Sequence, residues 1–218
     1  MRLSRNTKAV LFDLDGTLLD SSQAIMDAVE HVLTSKGFHC YRPKVAEMIG
    51  IPLENIFAVL APNLSTEEVW NLVLEYRKYY MIHHLERTSI HPSTRLLLQK
   101  LKEKGLKLGI ITGKYREPTI NALDYFGISG FFDTVVTGYD IKNHKPAPDI
   151  VLKAAKRLGI SPKECVVVGD SPTDVEAGKR AGSHTIALIT DAHSRLLLKK
   201  ANPTIIIENL AALEDVHF

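Results

Sequence analysis

The stretch Ala9-Val10-Leu11-Phe12-Asp13-Leu14-Asp15-Gly16-Thr17 decides how the rest of the chain is read. Its first four residues are apolar, with the β-branched and aromatic content that suits a strand buried on both faces. The run then stops on a carboxylate. A second carboxylate follows after one leucine, and Gly16-Thr17 permits a tight turn.

Similar apolar runs recur downstream at 108–111, 134–137, 166–168, 185–189 and 204–207. Segments with helical periodicity lie between most of them. One covers 94–101 and stops at Gly105, and another covers 149–158 and stops at Gly159, glycine being a usual helix terminator. Strands alternating with helices predict an α/β fold, a Rossmann-like parallel sheet covered on both faces. The segment 21–90 breaks the alternation, with helix patterns and no convincing strand. Ser21 or Ser22 can cap a helix that runs to Lys36 and ends at Gly37. Ser65-Thr66-Glu67-Glu68 opens a long helix with Val69, Leu72, Val73, Tyr76 and Tyr80 on one face. The expected organisation is therefore a core of 1–20 and 91–218, with a helical cap of 21–90 inserted after the first strand.

Composition narrows the classes of function. The 218 residues are 45% hydrophobic and 24% charged, with 27 basic against 25 acidic side chains and a net charge of +2. The basic residues are dispersed, which predicts neither a nucleic-acid binder nor a membrane-surface protein. No apolar run approaches the ~18 residues of a membrane span, and the polar N-terminus lacks the apolar stretch of a signal peptide. The two cysteines, Cys40 and Cys165, form no disulfide framework, and Cys165 opens an apolar run that suits a buried thiol. A reducing, cytoplasmic setting is expected.

Three of the strands deliver a polar residue at their carboxyl ends: Asp13, Thr112 and Asp170. Ligands of open α/β sheets bind outside those ends, so the three can converge. Asp170 and Asp174 lie four apart, with Pro172 a plausible first helical residue between them. Carboxylates gathered at one edge repel each other and require a divalent cation or a lysine. Oxygen-only ligands favour Mg2+ over softer metals. Lys145, in the loop after the third core strand, is the obvious lysine.

At this point the sequence resembles a known family. Asp13-Leu14-Asp15-Gly16-Thr17 is similar to the first motif of the haloacid dehalogenase-like hydrolases, Thr112-Gly113 to the second, Lys145-Pro146 to the third, and Gly169-Asp170-Ser171-Pro172-Thr173-Asp174 to the fourth. The four stand in family order across essentially the whole chain, and the helical insert looks like the cap of the first subclass, which closes over a small substrate. The resemblance implies that Asp13 is the nucleophile and Asp15 the general acid and base. It implies Mg2+ held by Asp13, the Asp15 carbonyl and Asp170, and phosphoryl oxygens held by Thr112 and Gly113. Lys145 is then expected to bridge nucleophile and phosphate, with Asp174 and Ser171 in support.

The same resemblance narrows the reaction. Dehalogenases lack the second aspartate that stands here as Asp15, and phosphonate-cleaving relatives need a cap lysine that 46–53 does not supply. Ion pumps carry membrane spans. A phosphatase acting on a small phosphorylated metabolite is the leading expectation. Met48-Ile49-Gly50-Ile51-Pro52-Leu53 is similar to the cap loop of phosphoglycolate phosphatases, while stretches around 75–84 and 108–114 look like bacterial pyrophosphatases. A sugar phosphomutase and a non-catalytic binding protein are the remaining alternatives, and the oligomeric state, monomer or homodimer, stays open. His91-Pro92-Ser93 departs from the family's usual Pro-Gly. His83 and His84, adjacent and so pointing in different directions, read as surface or cap-core residues rather than metal ligands. Trp70, Tyr76, Tyr79 and Tyr80 read as cap core.

Overall fold

A computed structural model describes residues 6–190 and 192–218. Ala9–Phe12 (β1) is apolar throughout, and all four side chains are wholly buried. Burial of Leu11 and Phe12 contributes about 1.5–3 kcal/mol each. The chain then passes through Leu19–Asp20 (β2) into helices Ser22–Ser35 (α1), Arg42–Glu47 (α2), Leu53–Leu60 (α3) and Thr66–His83 (α4), and on through Ser89–Ile90 (β3). Alternation follows: Thr94–Glu103 (α5), Lys107–Ile111 (β4), Arg116–Tyr125 (α6), Thr134–Val136 (β5), Asp149–Leu158 (α7), Cys165–Gly169 (β6), Pro172–Ala181 (α8), His184–Leu188 (β7), Ala192–Ala201 (α9) and Ile205–Ile207 (β8).

Six strands form a parallel sheet in the order β5-β4-β1-β6-β7-β8, as the alternating pattern predicts. Phe12 stands beside Ile110 on one side and Val168 on the other. From β1 the chain first builds towards β5 and then reverses to build towards β8. The strand order therefore switches at β1, where such sheets leave a crevice beyond the strand ends. The short strands β2 and β3 pair separately, so 21–90 is free of strand except at Ser89–Ile90. Helices α6 and α9 were not predicted. Their polar composition gives a weak apolar stripe, and tertiary packing completes them.

Packing divides the described residues into two units, one up to Leu19 with Ile90–Phe218 and the other Asp20–Ser89. In the first, Ile150, Val151, Ala154 and Ala155 lay one face of α7 against Leu11, Ile111 and Val167 of the sheet. That helix stops at Gly159, whose φ of 68° is the left-handed conformation glycine adopts without strain. In the second unit, Ala24, Ala28, Val29 and Val32 of α1 meet Phe57 of α3 and Val69, Val73, Tyr76 and Tyr80 of α4. Helix α4 starts on a capping box: Ser65 Oγ accepts from the Glu68 N–H, and the Glu68 carboxylate accepts from the Ser65 N–H.

Trp70 corrects the sequence reading. It is 46% exposed and carries the Arg77 guanidinium 5.1 Å from its ring centre. One residue past Val69 it is turned about 100° off the buried stripe, so the helical period, not the aromatic character, decides its side. Tyr79 packs against the core of the second unit, and His84 is buried with its ring stacked on Tyr80. Cys40 and Cys165 are buried free thiols, and burial pushes the Cys165 thiol up to about 11. Among the described residues no helix is long and apolar enough to cross a membrane.

Candidate active site

The sheet ladder continues one residue past two of its strands. The Asp13 N–H donates to Val168 O at 2.8 Å and the Thr112 N–H to Val136 O at 3.0 Å. Both side chains therefore leave the carboxyl edge on fixed backbone. Asp170 follows β6 directly. Two glycines permit the carboxylates to approach. Gly16 has φ +87°, and a Cβ there would lie 2.3 Å from Asp170 Oδ2. A Cβ on Gly169 would lie 2.4 Å from Asp174 Cγ.

Lys145 joins the strands' ends. Its ammonium donates to Asp13 Oδ1 at 2.7 Å, to Asp174 Oδ1 at 2.6 Å and to the Ile111 carbonyl at 2.8 Å, with the side chain 8% exposed. All three of its donors are thereby used. Asp174 is aimed by the first turn of α8. Ser171 caps that helix, its hydroxyl accepting from the Asp174 N–H at 3.2 Å, while Asp174 Oδ2 accepts from the Ser171 N–H at 3.1 Å.

The loop carrying Lys145 is itself held. Asp140 accepts from the Thr137 N–H and hydroxyl, both at 2.9 Å, and from Arg157 of α7 at 2.6 Å. Arg157 also donates to Val135 O at 2.8 Å, and the Lys153 ammonium donates to the Asp140 carbonyl. Burial alone raises the Asp140 carboxyl, but the Thr137 N–H, Arg157 and the Thr137 hydroxyl outweigh it and hold it down at about 2.

The carboxylate oxygens of Asp13, Asp170 and Asp174 lie within 4.8 Å of one another. Desolvation raises the Asp13 carboxyl, with Lys145 opposing and Asp174 adding repulsion. Desolvation and the charges of Asp13 and Asp174 push Asp170 well above its ordinary range, with the Thr17 hydroxyl opposing. Lys145 moves up: desolvation disfavours its charge, and Asp13 with Asp174 more than offsets that.

Two contacts were not read from the sequence. The Thr17 hydroxyl donates to Asp170 Oδ1 at 2.7 Å, linking the first motif to the fourth. The Lys114 ammonium donates to Asp15 Oδ1 at 2.6 Å, with side chains 8% and 15% exposed. Asp15 thus stands apart from the three-carboxylate cluster and faces a cation of its own. The Lys114 N–H donates to Thr112 Oγ1 at 3.2 Å, and Gly113 is exposed beside it. Lys114 directly follows Thr112-Gly113, and that adjacency was the available signal. Asp13, Lys145, Ser171 and Asp174 are brought together as one bonded group, with the Asp170 carboxylate within 4.8 Å of Asp13 and Asp174 and Thr112 on the neighbouring strand.

A parallel sheet whose central strand delivers paired aspartates, answered by a lysine and a second acidic motif, defines a class of hydrolase. The sequence model described as haloacid dehalogenase-like hydrolase matches residues 10–188, and the chain belongs to that family. A phosphoglycolate phosphatase of Aquifex aeolicus is 37% identical over 179 residues, covering 82% of this chain and 83% of that one. The pyrophosphatase PpaX of Bacillus velezensis is 34% identical over 213 residues, covering 96% and 95%. A solved structure described as a haloacid dehalogenase-like hydrolase from Bacteroides fragilis is similar with a TM-score of 0.88 at 30% identity, covering 95% of this chain and 99% of that one.

Proposed function

We propose that this chain is a cytoplasmic, magnesium-dependent phosphatase that hydrolyses a small phosphomonoester through an aspartyl-phosphate. The observation that carries the reading is the Lys145 ammonium bonded to both Asp13 and Asp174, with Asp170 beside them. Asp13, Asp15, Asp170 and Asp174 face two ammonium groups, Lys114 and Lys145, which leaves two formal negative charges unanswered among these groups. An all-oxygen set with that excess fits a hard divalent cation. Asp13, Asp170 and the Asp15 carbonyl are assigned to hold magnesium, with Asp174 kept on Lys145 and Ser171. When bound, the cation would offset the negative charge between nucleophile and phosphate.

The chain's own residues supply the rest. An Asp13 oxygen attacks phosphorus as the bond to the leaving oxygen breaks. Asp15 donates a proton to that oxygen, then takes one from the water that attacks the aspartyl-phosphate, so Asp13 is regenerated and inorganic phosphate leaves. Lys145 holds Asp13 in place and spreads charge from the phosphoryl group. Thr112 and the Gly113 N–H hold the phosphoryl oxygens. The helical unit Asp20–Ser89 is assigned as the cap.

The substrate is a small phosphorylated metabolite, and phosphoglycolate is the first choice on the likeness to the Aquifex phosphatase. Pyrophosphate is the second, favoured by similarity to PpaX along 96% of the chain. A panel of phosphorylated metabolites, assayed for released phosphate with magnesium, is expected to rank these two high and to fall to background in excess chelator. Full turnover in chelator, or isomerised sugar phosphate without phosphate release, would overturn the reading.

A further inference from the structure

We propose that Lys114 selects substrates whose leaving group carries its own negative charge. The inference rests on the phosphatase reading, in which Asp15 faces the leaving oxygen and Thr112 holds the phosphoryl group. Lys114 connects those two positions. Its N–H donates to Thr112 Oγ1 at 3.2 Å and its carbonyl accepts from the Gly138 N–H at 3.2 Å. With the main chain fixed at both ends, the side chain turns inward, 8% exposed, and its ammonium meets Asp15 Oδ1 at 2.6 Å.

A cation in that place lies on the leaving-group side of the reacting phosphorus. The other buried ammonium, Lys145, is committed to Asp13, Asp174 and the Ile111 carbonyl. A site with four carboxylates repels a second anionic group on the substrate unless a positive charge meets it. An ammonium can serve two anions at once, so Lys114 keeps Asp15 while accepting a carboxylate or phosphate on the departing fragment. A leaving group bearing only hydroxyls gains nothing comparable. The bland alternative is that Lys114 only orients Asp15, and then every substrate suffers alike when the lysine is changed.

The test compares phosphoglycolate with 2-hydroxyethyl phosphate, which differ in a carboxylate against a hydroxymethyl group. Wild-type kcat/KM is expected to favour phosphoglycolate by at least about 10-fold, the effect of one charge-assisted contact. In K114M that ratio falls by about 10- to 100-fold, mainly through KM, whatever loss the two substrates share. K114R, which keeps the charge, restores part of it. A wild-type ratio near one overturns the proposal without any variant. So does a ratio that K114M leaves unchanged. Turnover of either compound by wild type bears on the phosphatase reading, and only the ratio bears on Lys114, so the two can fail separately.

Discussion

Asp13 and Asp15 are separated by one leucine and held by different lysines, Lys145 at 2.7 Å and Lys114 at 2.6 Å. That division supports two roles for two chemically identical groups. In D13N no phosphoryl group should appear on the protein with any substrate. In D15N, p-nitrophenyl phosphate, whose leaving group needs little protonation, should still phosphorylate Asp13. The adduct should accumulate, because water lacks its base. An alkyl phosphate should lose the first step by about 10²–10⁴-fold, the usual size of general acid catalysis. Intact-protein mass spectrometry after acid quench reads the added phosphoryl group. Equal loss for both substrates with no trapped adduct would remove Asp15 from the acid role. The aspartates were legible because each closes an apolar strand. Thr17 and Lys114 were not, since a threonine or lysine beside a motif is ordinary until a distant partner is placed against it.

Elements contribute by aiming loops. Asp140 fastens the segment after β5 to α7 through Thr137 and Arg157, and Lys145 leaves from that segment. The folded Asp140 carboxyl, at about 2, sits below its ordinary value of 3.8. Its stabilisation is therefore complete above the unfolded value and is lost as pH falls through about 4 towards 2. D140N should lower the unfolding free energy by about 1.5–3 kcal/mol near pH 6, the range for hydrogen bonds to a charged group. Urea midpoints of wild type and variant should converge near pH 2. A gap that persists there would mean the contribution is not ionic. The same variant should slow turnover, because Lys145 loses its anchored loop. The network escapes a sequence reading because Asp140 and Arg157 are 17 residues apart and isolated polar residues carry no periodic signal.

At the scale of the whole molecule, the ends of β1 and β6 and the first turn of α8 place three carboxylates within 4.8 Å of one another in a protein whose net charge is only +2. The fold bears local repulsion at one edge, and a divalent cation bound there should stabilise the native state by mass action. At about 100 times its dissociation constant, magnesium should add about 2.7 kcal/mol. That is roughly 5–10 °C in Tm for a chain of this size. In D170N the metal-free protein should melt higher, since a repelling charge is gone, and the magnesium increment should largely vanish. An increment as large as in wild type would place the cation elsewhere. The sequence by itself determined the strand and helix alternation, the helical segment inserted after β1, and which residues end the strands, because buried parallel strands are apolar without interruption and their ends are marked by the first polar residue. Only the tertiary structure decided that Lys114 answers Asp15, that Thr17 orients Asp170, and that Asp140 steadies the loop to Lys145. Those are pairings across as many as 153 residues, set by register, loop path and helical phase. A linear pattern carries the period of an element but not the partner that folding brings to it.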